Sequence, residues 1–321
     1  MMTDGFKGPI KNKERKEVMS DYILKAITED GQARAYVAVT TDMVNEAARR
    51  HNMSPVAITA AGRLFTAGAM MGTMMKNDND LLTVRIKGNG PIGQMMCSAN
   101  PKGEVKGFVG NPQVMLPLKD GRIDVAGALG IGVLSVTKDL GMKEPYIGDT
   151  ILVTSEIGDD LTYYFATSEQ VPSAVGLGVL MNKDNSAKFA GGFIVQMMPD
   201  ATDETTGLVE ANVGLITSVS EFLEKGETPE MILGRIFNGK EFKILEKIDC
   251  VYKCDCSRTK VINALLSLGA DEIQSLIDED KPVETRCQFC GEKYEFSLDD
   301  LAKMRDGLKA KESKNEDGAS S

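Results

Sequence analysis

Four cysteines near the C-terminal end form two short-spaced pairs. Cys254-Asp255-Cys256 and Cys287-Gln288-Phe289-Cys290 are separated by 30 residues. Two such pairs can present four thiolates tetrahedrally, the arrangement Zn²⁺ takes in closed structural sites. In a cytosolic protein clustered cysteines act as metal ligands or redox groups rather than structural disulfides. C-x-C joined to C-x-x-C is uncommon in plain zinc ribbons, which use C-x-x-C on both sides. Cys290-Gly291 reads as a zinc knuckle, with glycine permitting the tight turn and Phe289, Tyr294 and Phe296 forming a small core beneath the metal. The candidate ligands are Cys254, Cys256, Cys287 and Cys290.

Two readings of this cluster stand side by side. In one, zinc only holds the C-terminal fold. In the other the cluster is a redox switch, because neighbouring cysteines in each pair can oxidise to disulfides and an oxidised sulfur no longer ligates zinc. A domain of ~60 residues stands at the edge of independent stability. Structural zinc contributes an apparent ~10–16 kcal/mol in small zinc domains, so losing it should unfold this one. Cys250 lies just upstream at another plausible ligand spacing and is read as a bystander; Cys97, in a strand-like run, is read as core.

The segments that must position these sulfurs follow from hydrophobic periodicity. Residues 17–27 read as a helix, 33–40 as a strand, 42–50 as a short helix and 54–75 as a long one with Ser54 as N-cap and Pro55 in the first turn. Strand-like runs follow at 81–87, 94–99, 105–110, 131–136 and 151–155, separated by turns such as Gly88-Asn89-Gly90-Pro91 and Lys119-Asp120-Gly121. Short connections imply antiparallel pairing. A helix at 159–170 precedes a hairpin, 175–181 and 189–198, around Lys183-Asp184-Asn185-Ser186.

Beyond residue 200, Leu208, Val209, Val213, Ile216, Val219, Phe222 and Leu223 recur at helical spacing. A second helix opens at Thr228-Pro229 and carries Ile232, Leu233, Ile236 and Phe237. With no strands of their own, these helices must pack on something else. Helices at 261–268 and 271–280 bridge the two cysteine pairs.

The expected fold is therefore α+β. An antiparallel-sheet domain with helices (1–199) leads to a helical connecting segment packed on it (200–248). A small Cys₄ zinc domain (249–306) and a disordered polar tail (307–321) follow.

Composition narrows the function. The 321 residues carry 37 Lys+Arg against 47 Asp+Glu, a net charge of −10, which disfavours nucleic acid and anionic membranes as partners. His51 is the single histidine, which excludes most His-based catalytic or metal chemistry; at the end of a basic helix it reads as a solvated cap. Gly88-Asn89-Gly90-Pro91-Ile92-Gly93 matches G-x-G-x-x-G, but the residues after it read as strand, so it is a hairpin turn rather than a dinucleotide site. No phosphate-binding loop pattern occurs. Glu156, Asp159 and Asp160 read as carboxylates complementing a helix dipole rather than an acid–base pair. Met70, Met71, Met74 and Met75 read as core. The apolar run from residue 55 to 75 contains Arg63, and no apolar stretch follows the basic N-terminal residues, so the expected location is the cytoplasm. Besides the switch, a thiol oxidoreductase using Cys287 and Cys290, without the βαβ context of such motifs, and a zinc-bearing binding module remain open.

Read together, these features resemble the thirty-three-kilodalton heat-shock proteins, a family of redox-regulated bacterial chaperones. The resemblance is carried by Cys254-x-Cys256-Ser257-Arg258 and Cys287-x-x-Cys290-Gly291. It also rests on Lys87-Gly88-Asn89-Gly90-Pro91-Ile92-Gly93, the GFVGNP run from Gly107, Lys138-Asp139-Leu140-Gly141, YYFATSEQVPSAVGLG from Tyr163, and GGFIVQMMP from Gly191. Cys250 and the polar tail depart from the family pattern. The resemblance implies a holdase independent of ATP and without enzymatic activity. Reduced and bearing one Zn²⁺ it is inactive; oxidised it holds unfolding client proteins. It further implies disulfides between Cys254 and Cys256 and between Cys287 and Cys290, with zinc release and unfolding of the connecting segment. A homodimer when oxidised, and transfer of clients to ATP-driven chaperones, are implied as well.

Overall fold

The computed structural model describes residues 20–319, with side chains as far as residue 310. Chain order runs β1 (Tyr22–Thr28), β2 (Ala33–Val39), α1 (Thr41–His51), α2 (Pro55–Gly72), β3 (Leu81–Gly88), β4 (Gln94–Ala99), β5 (Glu104–Val109), α3 (Val125–Leu129), β6 (Gly132–Asp139) and β7 (Tyr146–Ile151). Next come α4 (Ile157–Tyr164), which ends in a wide π-helical turn, then β8 (Ser173–Met181) and β9 (Ala187–Met197). The remainder comprises α5 (Asp203–Gly214), α6 (Val219–Glu224), α7 (Pro229–Ile236), β10 (Phe242–Asp249), β11 (Val251–Tyr252), α8 (Arg258–Leu266), α9 (Ala270–Asp278), β12 (Val283–Arg286), β13 (Lys293–Phe296) and α10 (Leu298–Ala319).

Two sheets enclose α2. One has the order β10-β1-β2-β9-β8, the other β11-β5-β4-β3-β6-β7; all pairs are antiparallel except β11 with β5. Helix α2 is buried nearly all round, as its dense Ala/Gly/Met composition requires. The Ser54 hydroxyl accepts the Ala57 N–H at its start. Glycine lets the second sheet approach this closely: a Cβ on Gly68 would lie 2.4 Å from the Cys97 sulfur, and one on Gly72 2.8 Å from Ala99. Met70 and Met71 are core, and Cys97 is buried beside them. Among the described residues no helix is long and apolar enough to cross a membrane.

The other face of the first sheet is covered from outside. Tyr22, Leu24, Ala35, Val37, Phe193 and Val195 lie under Val209, Val219, Leu223, Ile232, Leu233 and Phe237 of α5, α6, α7 and the turn after them. Polar pins assist. The Tyr22 hydroxyl donates to Glu230 at 2.8 Å, and Asn212 Nδ2 donates to the Ile236 and Asn238 carbonyls, closing the end of α7.

Several elements differ from expectation. Residues 22–28 form a strand, not part of a helix; residues 1–19, which include the start of the expected helix, lie outside the described residues. Strand β1 is buried on both faces, so it lacks the alternation that marks a half-buried strand. The expected single helix over 208–223 breaks after Gly214, and Ser218 caps a new one. The segment after residue 240 does possess a strand, β10, whose side chains are mostly exposed and whose place is fixed by pairing with β1. Strand β7 ends at Ile151, where one at 151–155 was expected. Residues 153–155 instead wrap the buried Asp160 carboxylate, which accepts the Val153 and Thr154 N–H groups at 2.7 and 3.1 Å, so Asp160 organises a turn rather than merely facing a dipole. In place of a disordered tail from residue 307, the backbone continues in α10 to Ala319.

Asp21 sits at the root of β1, where its main-chain oxygen accepts the Cys250 N–H at 3.1 Å. Burial pushes its carboxyl up to about 7, against the opposing pull of the Met43 N–H. The folded chain therefore holds this proton more tightly than the unfolded chain does. The resulting stability is complete below pH ~4 and is lost as pH rises through 7. Asp21→Asn should abolish that loss: between pH 5 and 8 the wild type should fall relative to the variant by about 1–3 kcal/mol in denaturant melts. Parallel pH profiles would contradict this.

Candidate metal centre and its seat on the first domain

Cys254 and Cys256 lie in the loop between β11 and α8, whose first turn is capped by the Ser257 hydroxyl accepting the Lys260 N–H. Cys287 and Cys290 flank the tight turn joining β12 to β13. That turn is closed by Cys287 N–H to the Glu292 carbonyl and Gly291 N–H to the Cys287 carbonyl, both 2.8 Å. Gly291 adopts φ +73°, a conformation glycine takes freely. Helices α8, α9 and α10 bring the two loops together around a small core of Ile273, Phe296, Leu301 and Met304.

All four candidate sulfurs meet within 4.8 Å of one another. Cys254 and Cys287 Sγ are 3.7 Å apart, and Cys256 and Cys290 Sγ are 3.3 Å apart. Four sulfurs at the usual ~2.3 Å from a tetrahedral zinc would be about 3.8 Å apart, so the donor set and its spacing fit such an ion. The group could hold a metal, in the manner of a closed Cys₄ site. Burial pushes the Cys254 thiol up to about 11 and raises that of Cys290. Burial also opposes ionisation of Cys256, but hydrogen bonds from the Tyr294 hydroxyl (3.1 Å) and neighbouring thiols outweigh it, and that thiol is lowered. Lys106 and Lys260 pair with Asp255 between the first two cysteines, placing positive charge beside the cluster.

Cys250 stays apart from this group. It is buried, 3.5 Å from the Met43 sulfur, and burial raises its thiol well above the ordinary range.

The centre is seated on the first domain through contacts distant in sequence. Phe289 does not join the core beneath the sulfurs. It crosses to the first domain, where its ring meets Phe108 of β5 edge-on at 5.7 Å with the Lys106 ammonium 5.5 Å from its centroid. His51 is half-buried rather than solvated, with Nε2 3.0 Å from both the Phe289 carbonyl and the Tyr252 hydroxyl. A carbonyl only accepts, so Nε2 carries the proton. Tyr252 in turn donates to the Gly107 carbonyl at 2.7 Å. Thus the main chain between Cys287 and Cys290 is gripped by the end of α1 and by β11. Nothing in the local pattern around His51 or Phe289 announces a contact between residues 238 positions apart.

His51→Ala should leave metal binding intact while loosening this seat by about 1–3 kcal/mol, since it strips a partner from a part-buried carbonyl. Amide exchange should quicken across residues 251–253 and 287–291 at unchanged metal content. Unaltered exchange there would refute the role given to His51.

Comparison with known proteins places this geometry. A family model described as "Hsp33 protein" matches residues 21–297. The 33 kDa chaperonin of Lachnoclostridium phytofermentans is 49% identical over 284 residues, covering 88% of this chain and 97% of that protein. The 33 kDa chaperonin of Staphylococcus carnosus is 49% identical over 292 residues, 90% of this chain and 99% of that one. The crystal structure of the 33 kDa chaperonin from Thermotoga maritima superposes with a TM-score of 0.85 at 36% identity, covering 92% of this chain and all of that one. The match thus spans the sheet domain, the covering helices and the four-cysteine unit together, and the chain belongs to the Hsp33 family.

Proposed function

We propose that this chain is a redox-regulated holdase, independent of ATP, that protects unfolding proteins from aggregation under oxidative and heat stress. The observation that carries the reading is the continuity of the segment between the apolar cover and the sulfurs. Helices α5, α6 and α7 lie over one face of the first sheet, β10 and β11 follow without interruption, and Cys254 comes two residues after Tyr252.

A bound zinc ion would cross-link Cys254, Cys256, Cys287 and Cys290 and keep them as thiolates. On oxidation, Cys254 with Cys256 and Cys287 with Cys290 form disulfides. Each bond takes two electrons from a thiolate pair and passes them to peroxide, which with two protons from solvent leaves as two waters (2 RS⁻ + H₂O₂ + 2 H⁺ → RSSR + 2 H₂O). The disulfide sulfurs no longer serve as ligands, and a core of four fully or nearly buried apolar side chains does not hold the unit together alone. The seat on β5 and His51 then empties, β10 and β11 lose their anchor, and the cover loosens. The apolar face it exposes, with Leu24, Val37, Phe193 and Val195, can then receive other exposed chains. Clients are unfolded or partly folded proteins, passed on to ATP-driven chaperones; the oxidised form pairs as a homodimer in the cytoplasm.

The test is aggregation of a heat-unfolding reporter protein with reduced and with peroxide-treated chain, alongside insulin reduction. Suppression confined to the treated form supports the reading. Equal suppression by both forms rejects the switch, and catalytic insulin reduction would identify a thiol oxidoreductase instead.

A further inference from the structure

One continuous stretch closes an edge of both sheets. Strand β10 is the outermost strand of the first sheet, pairing with β1 from Tyr22 opposite Asp249 to Thr28 opposite Phe242. Two residues later β11 closes the second sheet against Glu104 and Val105 of β5. Backbone pairing holds β10 together with contacts at the water-facing surface and one end: the Lys25–Glu246 and Lys243–Glu29 ion pairs, the Lys247 ammonium over the Tyr22 ring, and Phe242 against Phe237. Ile244 and Leu245 are 46% and 57% exposed, and Lys243, Glu246, Lys247 and Asp249 also face water. Its pairing slips between Lys25 and Ala26.

Its partner is the opposite case. Tyr22, Ile23, Leu24, Ala26 and Thr28 of β1 are buried, so this strand cannot follow β10 into solvent without dismantling both cores. If β10 departs, β1 remains in place with a row of unpaired N–H and C=O groups. Such an edge is a template for another strand. It borders the face under α7, where Leu24, Val37 and Phe193 lie.

We propose that the oxidised chain captures clients by strand addition. An extended segment of a non-native protein takes the place of β10 on β1 and rests its apolar side chains on the adjoining uncovered face. This rests on the holdase reading above and names the chemistry its site selects. Main-chain pairing gives affinity without sequence preference, as in other strand-addition complexes. A helical segment satisfies its own amides and leaves those of β1 bare. The occupant's form is read from β10 itself: eight extended residues, Phe242–Asp249, with apolar side chains at Phe242, Ile244, Leu245 and Ile248.

The test uses the full oxidised chain, guanidine-unfolded citrate synthase as client, and a peptide of the β10 sequence. Two peptide variants carry N-methyl groups on alternate amides, one set on each edge of the strand. The unmodified peptide should reduce aggregation suppression at least five-fold. One methylated variant should lose at least ten-fold in potency and the other should keep it, because only one edge faces β1. Amides of residues 22–28 that exchange freely in the oxidised chain should slow at least ten-fold with client bound. Equal potency of all three peptides, or β1 amides unaffected by client while aggregation is suppressed, would overturn strand addition and leave the holdase reading standing. Protection of the β1 edge in oxidised chain without client would show that the chain's own β10, or a second copy, still fills it, and would overturn the proposal too. Failure of the oxidised chain to suppress aggregation would remove both.

Discussion

Cys287→Ser is expected to reduce zinc from about one ion per chain to a trace at micromolar metal, while the sheet domain stays folded. A serine hydroxyl remains protonated at neutral pH and is a poor ligand where thiolate is required. A quarter of the apparent ~10–16 kcal/mol of a structural site is already roughly two to three orders of magnitude in affinity. The loss should also spread. The turn carrying Cys287 presents the Phe289 carbonyl to His51 and its ring to Phe108, so unmaking the turn vacates the seat. Residues 251–296 should become susceptible to protease, while α2 and its flanking strands, with a separate core, remain resistant. Undiminished zinc stoichiometry would count against Cys287 as a ligand.

The second large effect concerns the cover. Leu233 on α7 is fully buried against the outer face of the first sheet. Leu233→Asp places an unpaired carboxylate there, a defect worth roughly 3–5 kcal/mol. The chain can relieve it by lifting α7 away, since the inner face of that sheet packs independently on α2. The reduced variant should therefore bind a hydrophobic dye several-fold more strongly than wild type and, where the lifted cover also draws β10 off β1, suppress aggregation without oxidation, at unchanged zinc content. A variant that keeps its zinc, exposes both the face and the β1 edge and still fails to hold clients would separate exposure from function and contradict the account.

The legible parts of this molecule were those written in local pattern. Ser54-Pro55 followed by a small apolar run gives α2, two apolar runs around the turn residues Lys183-Asp184-Asn185-Ser186 give the β8–β9 hairpin, and paired cysteines foretell sulfurs that meet. The illegible parts were set by partners distant in sequence. Strand β1 is buried on both faces and β10 on almost none, so neither alternates, yet each fixes the other across more than two hundred residues. His51 and Tyr252 become a clamp only because β11 lies along β5. The cysteine spacing predicted a metal-binding unit; where that unit rests, and which strands its loss would free, required the fold.

The most direct test follows metal and cover in one experiment. Peroxide is titrated into the reduced, zinc-loaded chain while zinc release and amide exchange over residues 203–249 are recorded together. The account predicts that both rise over the same range of oxidant, and that α2 remains protected throughout. Zinc lost with the cover still protected, or a cover that opens while zinc is retained, would contradict it.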